Sequence, residues 1–188
     1  STRPDCVDET YLDCLEEFHN RGYHIDLELG LQSININTLN MLNRGHGLAD
    51  FVDAALRIKA KGFSLSVHLI GNLPWDTEDD FYEAARLFNV LNVDSVKIHS
   101  LYILKDTRLG DWYDKDMFDI IPPAAYIKRV IHFLRLLNPR ISVQRLFARA
   151  PEDESLFCNW ETSWRKLQNQ LDDEMEKLHY KQGDLCHK

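Results

Sequence analysis

Amphipathic helical stretches alternate with short aliphatic runs over most of this sequence, and that rhythm limits the possible folds more than any other feature. Over about residues 24–32, Ile25, Leu27, Leu29 and Leu31 recur at a period of two, with Asp26, Glu28, Gly30 and Gln32 between them. A strand presents its side chains to two unlike faces in this way. Similar runs cover 63–70, 94–101 and 141–146. Between them the apolar spacing lengthens to that of a helix, as in Val7, Tyr11, Leu12, Leu15 and Phe18, or Phe51, Ala54, Ala55 and Ile58. A short helical stretch carries Ile36, Leu39, Met41 and Leu42, and longer ones run from Thr77 to about Leu91 and from Pro122-Pro123 to Asn138-Pro139. Helices of about 10–15 residues between short strands predict right-handed βαβ units and a parallel sheet, an α/β fold. After an exposed link at Pro151-Glu152-Asp153-Glu154, a last amphipathic helix is expected over about 161–180. It would turn Trp164, Leu167, Leu171, Met175 and Leu178 to one side and pack back on the outside.

The 188 residues suit a single core, with 44% hydrophobic and 11% aromatic side chains. Thirty acidic against 22 basic residues give a net charge of −8, which disfavours neutralising phosphates as the main task and leaves nucleic acid only a local patch. Cys6, Cys14, Cys158 and Cys186 show no Cys-x2-Cys or Cys-x3-Cys spacing. They read as ordinary reduced thiols, with no metal ligand set among them. No apolar run approaches the roughly 18 residues that span a bilayer, and no basic-then-apolar leader opens the chain, so a cytoplasmic location without a membrane partner is expected.

The strands carry an unusual second face. Glu28 and Gln32 oppose the leucines of the first; Ser66 and His68 oppose Leu65, Val67 and Leu69; Lys97 and His99 oppose Val96 and Ile98; Ser142 and Gln144 oppose Ile141 and Val143. Parallel strands covered on both faces should be nearly continuously apolar, and closed barrels fill their interiors with branched aliphatics. A polar group buried without a partner costs about 1–3 kcal/mol. The face is therefore expected to line a water- or ligand-filled cavity, the other possibilities being a mutually satisfied polar network or an exposed sheet face.

Thr2-Arg3-Pro4-Asp5, Leu29-Gly30-Leu31-Gln32-Ser33, Asn43-Arg44-Gly45-His46, His68-Leu69-Ile70 with Leu73-Pro74, and Lys97-Ile98-His99 form an ordered series. The series resembles radical S-adenosylmethionine (SAM) proteins. The resemblance is to the uncharacterised Fe-S oxidoreductase group, with the Elongator catalytic subunit as a more distant relative, and Arg145-Leu146 and Gln182-Gly183 extend it. It implies part of an open (β/α) barrel whose cavity holds a [4Fe-4S] cluster and SAM, cleaved reductively to start radical chemistry on an unknown substrate. The family's cluster ligands come from a Cys-x3-Cys-x2-Cys loop, which this sequence lacks. The chain is accordingly expected to be the C-terminal portion of a longer enzyme, with residues 1–147 as barrel and 148–188 as linker and covering helix.

By the same resemblance, Gln32 and Arg44 are SAM contacts, and His68 stands where some relatives place a ribose-binding aspartate. A guanidinium pairs naturally with the methionyl carboxylate, and an amide both donates and accepts. A strand-end cap, a surface-turn arginine and a satisfied core histidine are the plain alternatives. Glu28, Ser66, Lys97 and His99 are candidates for the substrate cavity, with no catalytic residue assigned. Asn72 and Trp75 stand where many relatives carry glycines; Asn tolerates the left-handed conformations that glycine allows, so the turn is expected to survive, and Trp75 is expected to restrict backbone approach to a ligand on the adenine side. Two rival functions remain: a non-catalytic RNA- or protein-binding barrel of the Elongator type, and a hydrolase with a metal between His68 and His99. Raw strand edges on an incomplete barrel also predict self-association.

Overall fold

The computed structural model describes residues 1–149 and 152–186; Pro151 of the expected link lies outside them. Four parallel strands form the main sheet: β1 (Asp26–Gln32), β2 (Ser64–Ile70), β3 (Ser95–His99) and, after a short extra strand, β5 (Ser142–Arg145), in the order β1-β2-β3-β5. Helix α1 (Glu9–Asn20) precedes β1, and α2 (Ile36–Met41), α3 (Leu48–Ala60), α4 (Glu78–Val90) and α6 (Pro123–Leu136) lie between the strands. Their starts follow from local chemistry. Asp8 accepts from the Tyr11 N–H, Asn35 from those of Asn37 and Thr38, and Thr77 and Asp80 cap each other's backbone at α4. Gly22 and Gly62 end α1 and α3 with φ of +92° and +74°.

One face of the sheet is dry. Leu29 and Leu31 of β1, Leu65 and Val67 of β2, and Val96 and Ile98 of β3 are fully buried beneath Phe51, Ala54, Ile58, Phe88 and Phe133 of the covering helices. This apolar layer fixes strand register, since a one-residue slip would put the polar set against the helices. The sheet is open: at its β1 edge Thr2 alone among the described residues pairs, its N–H donating to the Glu28 carbonyl at 2.8 Å and its own carbonyl accepting from the Gly30 N–H at 3.0 Å.

Two irregularities set the polar face. In β1 the register shifts between Gly30 and Gln32, and Gln32 takes a φ of +72°. In β5, Val143 pairs with Val96 but Arg145 with Lys97, so Gln144 is the extra residue of a bulge. Strict alternation would send Arg145 among the helices. The bulge instead leaves both Gln144 and Arg145 with partners on the polar face.

The expected strand over 94–101 is shorter, because the chain turns at Ser100 into β4 (Tyr102–Leu104). β4 pairs antiparallel with β6 (Ser155–Cys158), and α5 (Arg108–Tyr113) packs beside it. Leu73, Leu101 and Ile103 form a small separate core there. Buried Asn159 ties the unit to the sheet, accepting from Ser100 Oγ and donating to the Ala148 carbonyl at 2.9 Å. The last helix, α7, starts at Trp164 rather than Glu161, since Asn159, Trp160 and Glu161 all have positive φ and Ser163 is the cap. Leu167 and Leu171 reach the main core, Trp164 and Met175 pack against it, and Leu178 lies past the end of α7, 43% exposed. Gln182 secures the following turn by donating to the carbonyls of Asn138 and Ile141.

Candidate functional site at the C-terminal ends of the strands

The polar face is layered along the strands. Nearest their N-terminal ends, Ser66 Oγ donates to Asp26 at 3.1 Å and lies 2.5 Å from Ser95 Oγ, which accepts from Gln144 Nε2 at 2.6 Å. This layer is mutually satisfied, with Asp26 and Gln144 at its exposed margins. Ser66 therefore belongs to a structural network below the cavity.

One pleat higher, Glu28 joins Lys97 and His68. Lys97 Nζ donates to Glu28 Oε1, and His68 Nε2 lies 3.1 Å from Glu28 Oε2. The Lys97 ammonium holds the Glu28 carboxyl below its usual range, against the opposing effect of burial. Burial lowers the pKa of His68, although Glu28 pulls the other way. A carboxylate only accepts, so the neutral His68 ring donates from Nε2 and presents Nδ1 as an acceptor. On the neighbouring strand, Arg145 Nη2 lies 2.5 Å from His99 Nε2. A guanidinium only donates, so His99 Nε2 accepts and its proton resides on Nδ1. Burial first, then the Arg145 charge, hold His99 down to about 4. The two rings stand 5.6 Å apart with both Nε2 atoms engaged, which disfavours a metal shared between them.

At the top lie Gln32 and Arg44. Asn43 and Gly45, with φ of +51° and +71°, turn the chain after α2 so that Arg44 Nη2 donates back to the Gly30 carbonyl at 3.0 Å. Arg44 Nε is buried without a partner, and burial lowers the pKa of the guanidinium. A Cβ on Gly30 would come within 2.8 Å of Gln32 Nε2 and 3.2 Å of Arg44 Nη2. The corner is held from behind by Asp76, which accepts from Ser33 Oγ at 2.9 Å and Thr38 Oγ1 at 2.5 Å. Burial raises the pKa of the Asp76 carboxyl, and these hydroxyls oppose the shift.

A cavity of about 480 Å³ opens above these residues. Gln32, Arg44, His68 and His99 supply its polar wall, while Leu42, Leu73 and β4 supply the rest. A larger hollow, about 620 Å³, lies between α6 and α7 against Gln170, Asp173 and Lys177, away from the strand ends. Glu28 and Lys97 are not on the cavity wall; they act through His68. Asn72 does not take the left-handed conformation: its buried side chain accepts from the Leu101 N–H at 2.6 Å. Trp75 packs against Trp112 and Phe118 and stays off the cavity wall. Sequence reasoning missed Arg145 and Tyr102 as site residues. A charged residue at the helix-facing position of β5 was the one signal for the first.

The donor set suits the polar end of an adenosyl amino acid: a desolvated guanidinium with a free Nε, an amide, and room where Gly30 lacks a side chain. It does not suit an iron–sulfur cluster. Cys6 and Cys14 are exposed, Cys158 and Cys186 are half-buried, and no group of three or more metal-ligating side chains occurs among the described residues.

Comparison with known proteins bears on the same region. The Radical_SAM C-terminal domain family matches residues 93–177. An uncharacterised protein of Methanocaldococcus jannaschii is 33% identical over 97% of this chain and 57% of its own length. Elongator complex protein 3 of Drosophila melanogaster is 26% identical over 77% of this chain and 26% of its own. Residues 93–177 carry a radical SAM C-terminal domain. The chain shares its fold with archaeal Elp3 of Methanocaldococcus infernus, with a TM-score of 0.80 at 22% identity over 96% of this chain and 42% of that one. The parallel βα units are thus part of an open barrel of that type. The chain spans only about half the length of the first curated relatives it matches. No helix among the described residues is long and apolar enough to cross a membrane.

Proposed function

We propose that this chain is the cofactor- and substrate-holding side of a radical SAM enzyme whose cluster ligands lie outside it. The observation that carries the reading is the Arg44 guanidinium on the cavity wall, drawn onto the Gly30 carbonyl beside Gln32, with its buried Nε unpartnered. In this reading Arg44 takes the methionyl carboxylate, Gln32 bonds the amino or ribose groups, and Nδ1 of His68 accepts from a ribose hydroxyl. SAM, reduced by a [4Fe-4S] cluster, would supply radical initiation. The chain's own residues orient the cofactor, and β4 with its small apolar core keeps water from the far wall. Residues 1–147 make up the barrel portion and 148–188 its linker and covering helix.

Isothermal titration of the chain with S-adenosylhomocysteine tests this. Saturable binding is expected, weakened about ten-fold or more by Arg44→Gln, since a charge-assisted hydrogen bond contributes about 1.5–3 kcal/mol. No binding, or equal affinity in the variant, overturns it; saturable binding of tRNA instead favours the Elongator-like module.

A further inference from the structure

One guanidinium, Arg44, stands on the cavity wall, and a second, Arg145, stands behind the wall residue His99, donating to its Nε2; SAM has a use for the first. Arg44 is fastened to β1 through the Gly30 carbonyl, whereas Arg145 belongs to β5. Those strands stand at opposite edges of the sheet, three strand spacings or about 14 Å apart. Neither arginine occurs in any ion pair among the described residues. Each also has a buried Nε without a partner. This is notable on a chain of net charge −8, where acids are plentiful. The acid whose charge reaches Arg145, Glu28, is already shared by Lys97 and His68.

Arg145 spends one donor on His99 Nε2, and the charges that reach it are those of Arg149, Tyr102 and Glu28. Accepting from Arg145 leaves His99 with its remaining proton on Nδ1, and no protein group among the described residues takes that proton. His99 lies on the cavity wall, and so does Tyr102, 41% exposed, whose hydroxyl is free to donate. An N–H and an O–H open to the cavity with a guanidinium charge behind them favour an acceptor ligand of negative charge, an oxyanion. The methionyl moiety of SAM carries a single carboxylate, which Arg44 accounts for.

The geometry points to a second anion subsite at the β5 side of the cavity, formed on the wall by His99 and Tyr102 with Arg145 behind His99, that binds a carboxylate or phosphate of the substrate. Arg145 supplies the charge and also fixes His99 as a neutral donor, so the substrate class is a small acid. The inference rests on the cofactor reading only for the assignment of Arg44.

Succinate and inorganic phosphate, titrated separately into the chain by calorimetry at constant low chloride, test it. Saturable binding of one or both is expected, and which one saturates tells a carboxylic acid from a phosphate ester. Arg145→Gln should weaken that binding at least ten-fold and Arg145→Lys should recover part of it, while Arg44→Gln should cost several-fold less than Arg145→Gln. The ring ¹⁵N signals of His99 should report protonated Nδ1 and shift on saturation. Failure of both acids to saturate, wild-type affinity in Arg145→Gln, or equal loss in Arg44→Gln overturns the subsite. If S-adenosylhomocysteine fails to bind but the acids saturate as described, the cofactor reading falls and the subsite stands. If the acids fail and S-adenosylhomocysteine binding depends on Arg44, the reverse holds.

Discussion

The two ends of the polar sheet face are both hydrophilic and behave differently. Toward the N-terminal ends of the strands, Asp26, Ser66, Ser95 and Gln144 bond one another. Toward the C-terminal ends, Arg44, Arg145, His68 and His99 each make one protein contact and keep hydrogen-bonding capacity over. Polar residues on a parallel sheet therefore do not by themselves mark a site. What marks it is capacity left over beside a cavity, which costs stability unless a ligand uses it.

The largest effect expected from this contrast is on pH dependence. His99 titrates near 4 in the folded chain against an ordinary 6.5, so folding excludes a proton. Its contribution is complete above pH 6.5 and is lost as pH falls toward 4, by about 3 kcal/mol in all. Urea midpoints measured from pH 8 to pH 4 should show that decline, and His99→Gln should flatten it; an unchanged slope in the variant would break the assignment. Next comes Glu28→Ala, which strands the Lys97 ammonium. With these side chains 26% and 21% exposed, a loss of about 2 kcal/mol is expected, less than for a fully buried pair. A double-mutant cycle with Lys97→Met should recover most of it. The smallest effects separate the two ends directly. Ser66→Ala should cost about 1 kcal/mol and leave acid binding alone. Arg145→Gln should stay within about 0.5 kcal/mol of wild-type stability and lose that binding.

The sheet and its helices were legible because each strand repeats at two and each helix at 3.6, with capping residues at the joints. Strands came out within a few residues, as with β1 at Asp26–Gln32 against an expected 24–32. The β4–α5–β6 unit was not legible. Three residues of β4 pair with a segment some fifty positions later, and nothing local announces a contact at that range. The candidate site was half legible. Gln32, Arg44, His68 and His99 do meet at one cavity, whereas Ser66 lies below it and Glu28 and Lys97 stand behind His68. Arg145 escaped because strict alternation assigns it to the apolar face, and only the bulge at Gln144 reverses that. At Asn72 the sequence tells only that the residue tolerates a glycine's backbone; the role of its side chain, which accepts from the Leu101 N–H, depends on a partner 29 positions away.

Gly30 gives the molecule an unusual kind of dial. The atoms a methyl there would strike first are the tips of two pliant side chains, Gln32 Nε2 and Arg44 Nη2, with the Thr2 carbonyl farther off at 3.8 Å. An alanine would thus nudge amide and guanidinium off their marks while the scaffold stood firm. One carbon atom, added to the main chain's own wall, could silence the pocket without loosening a single helix.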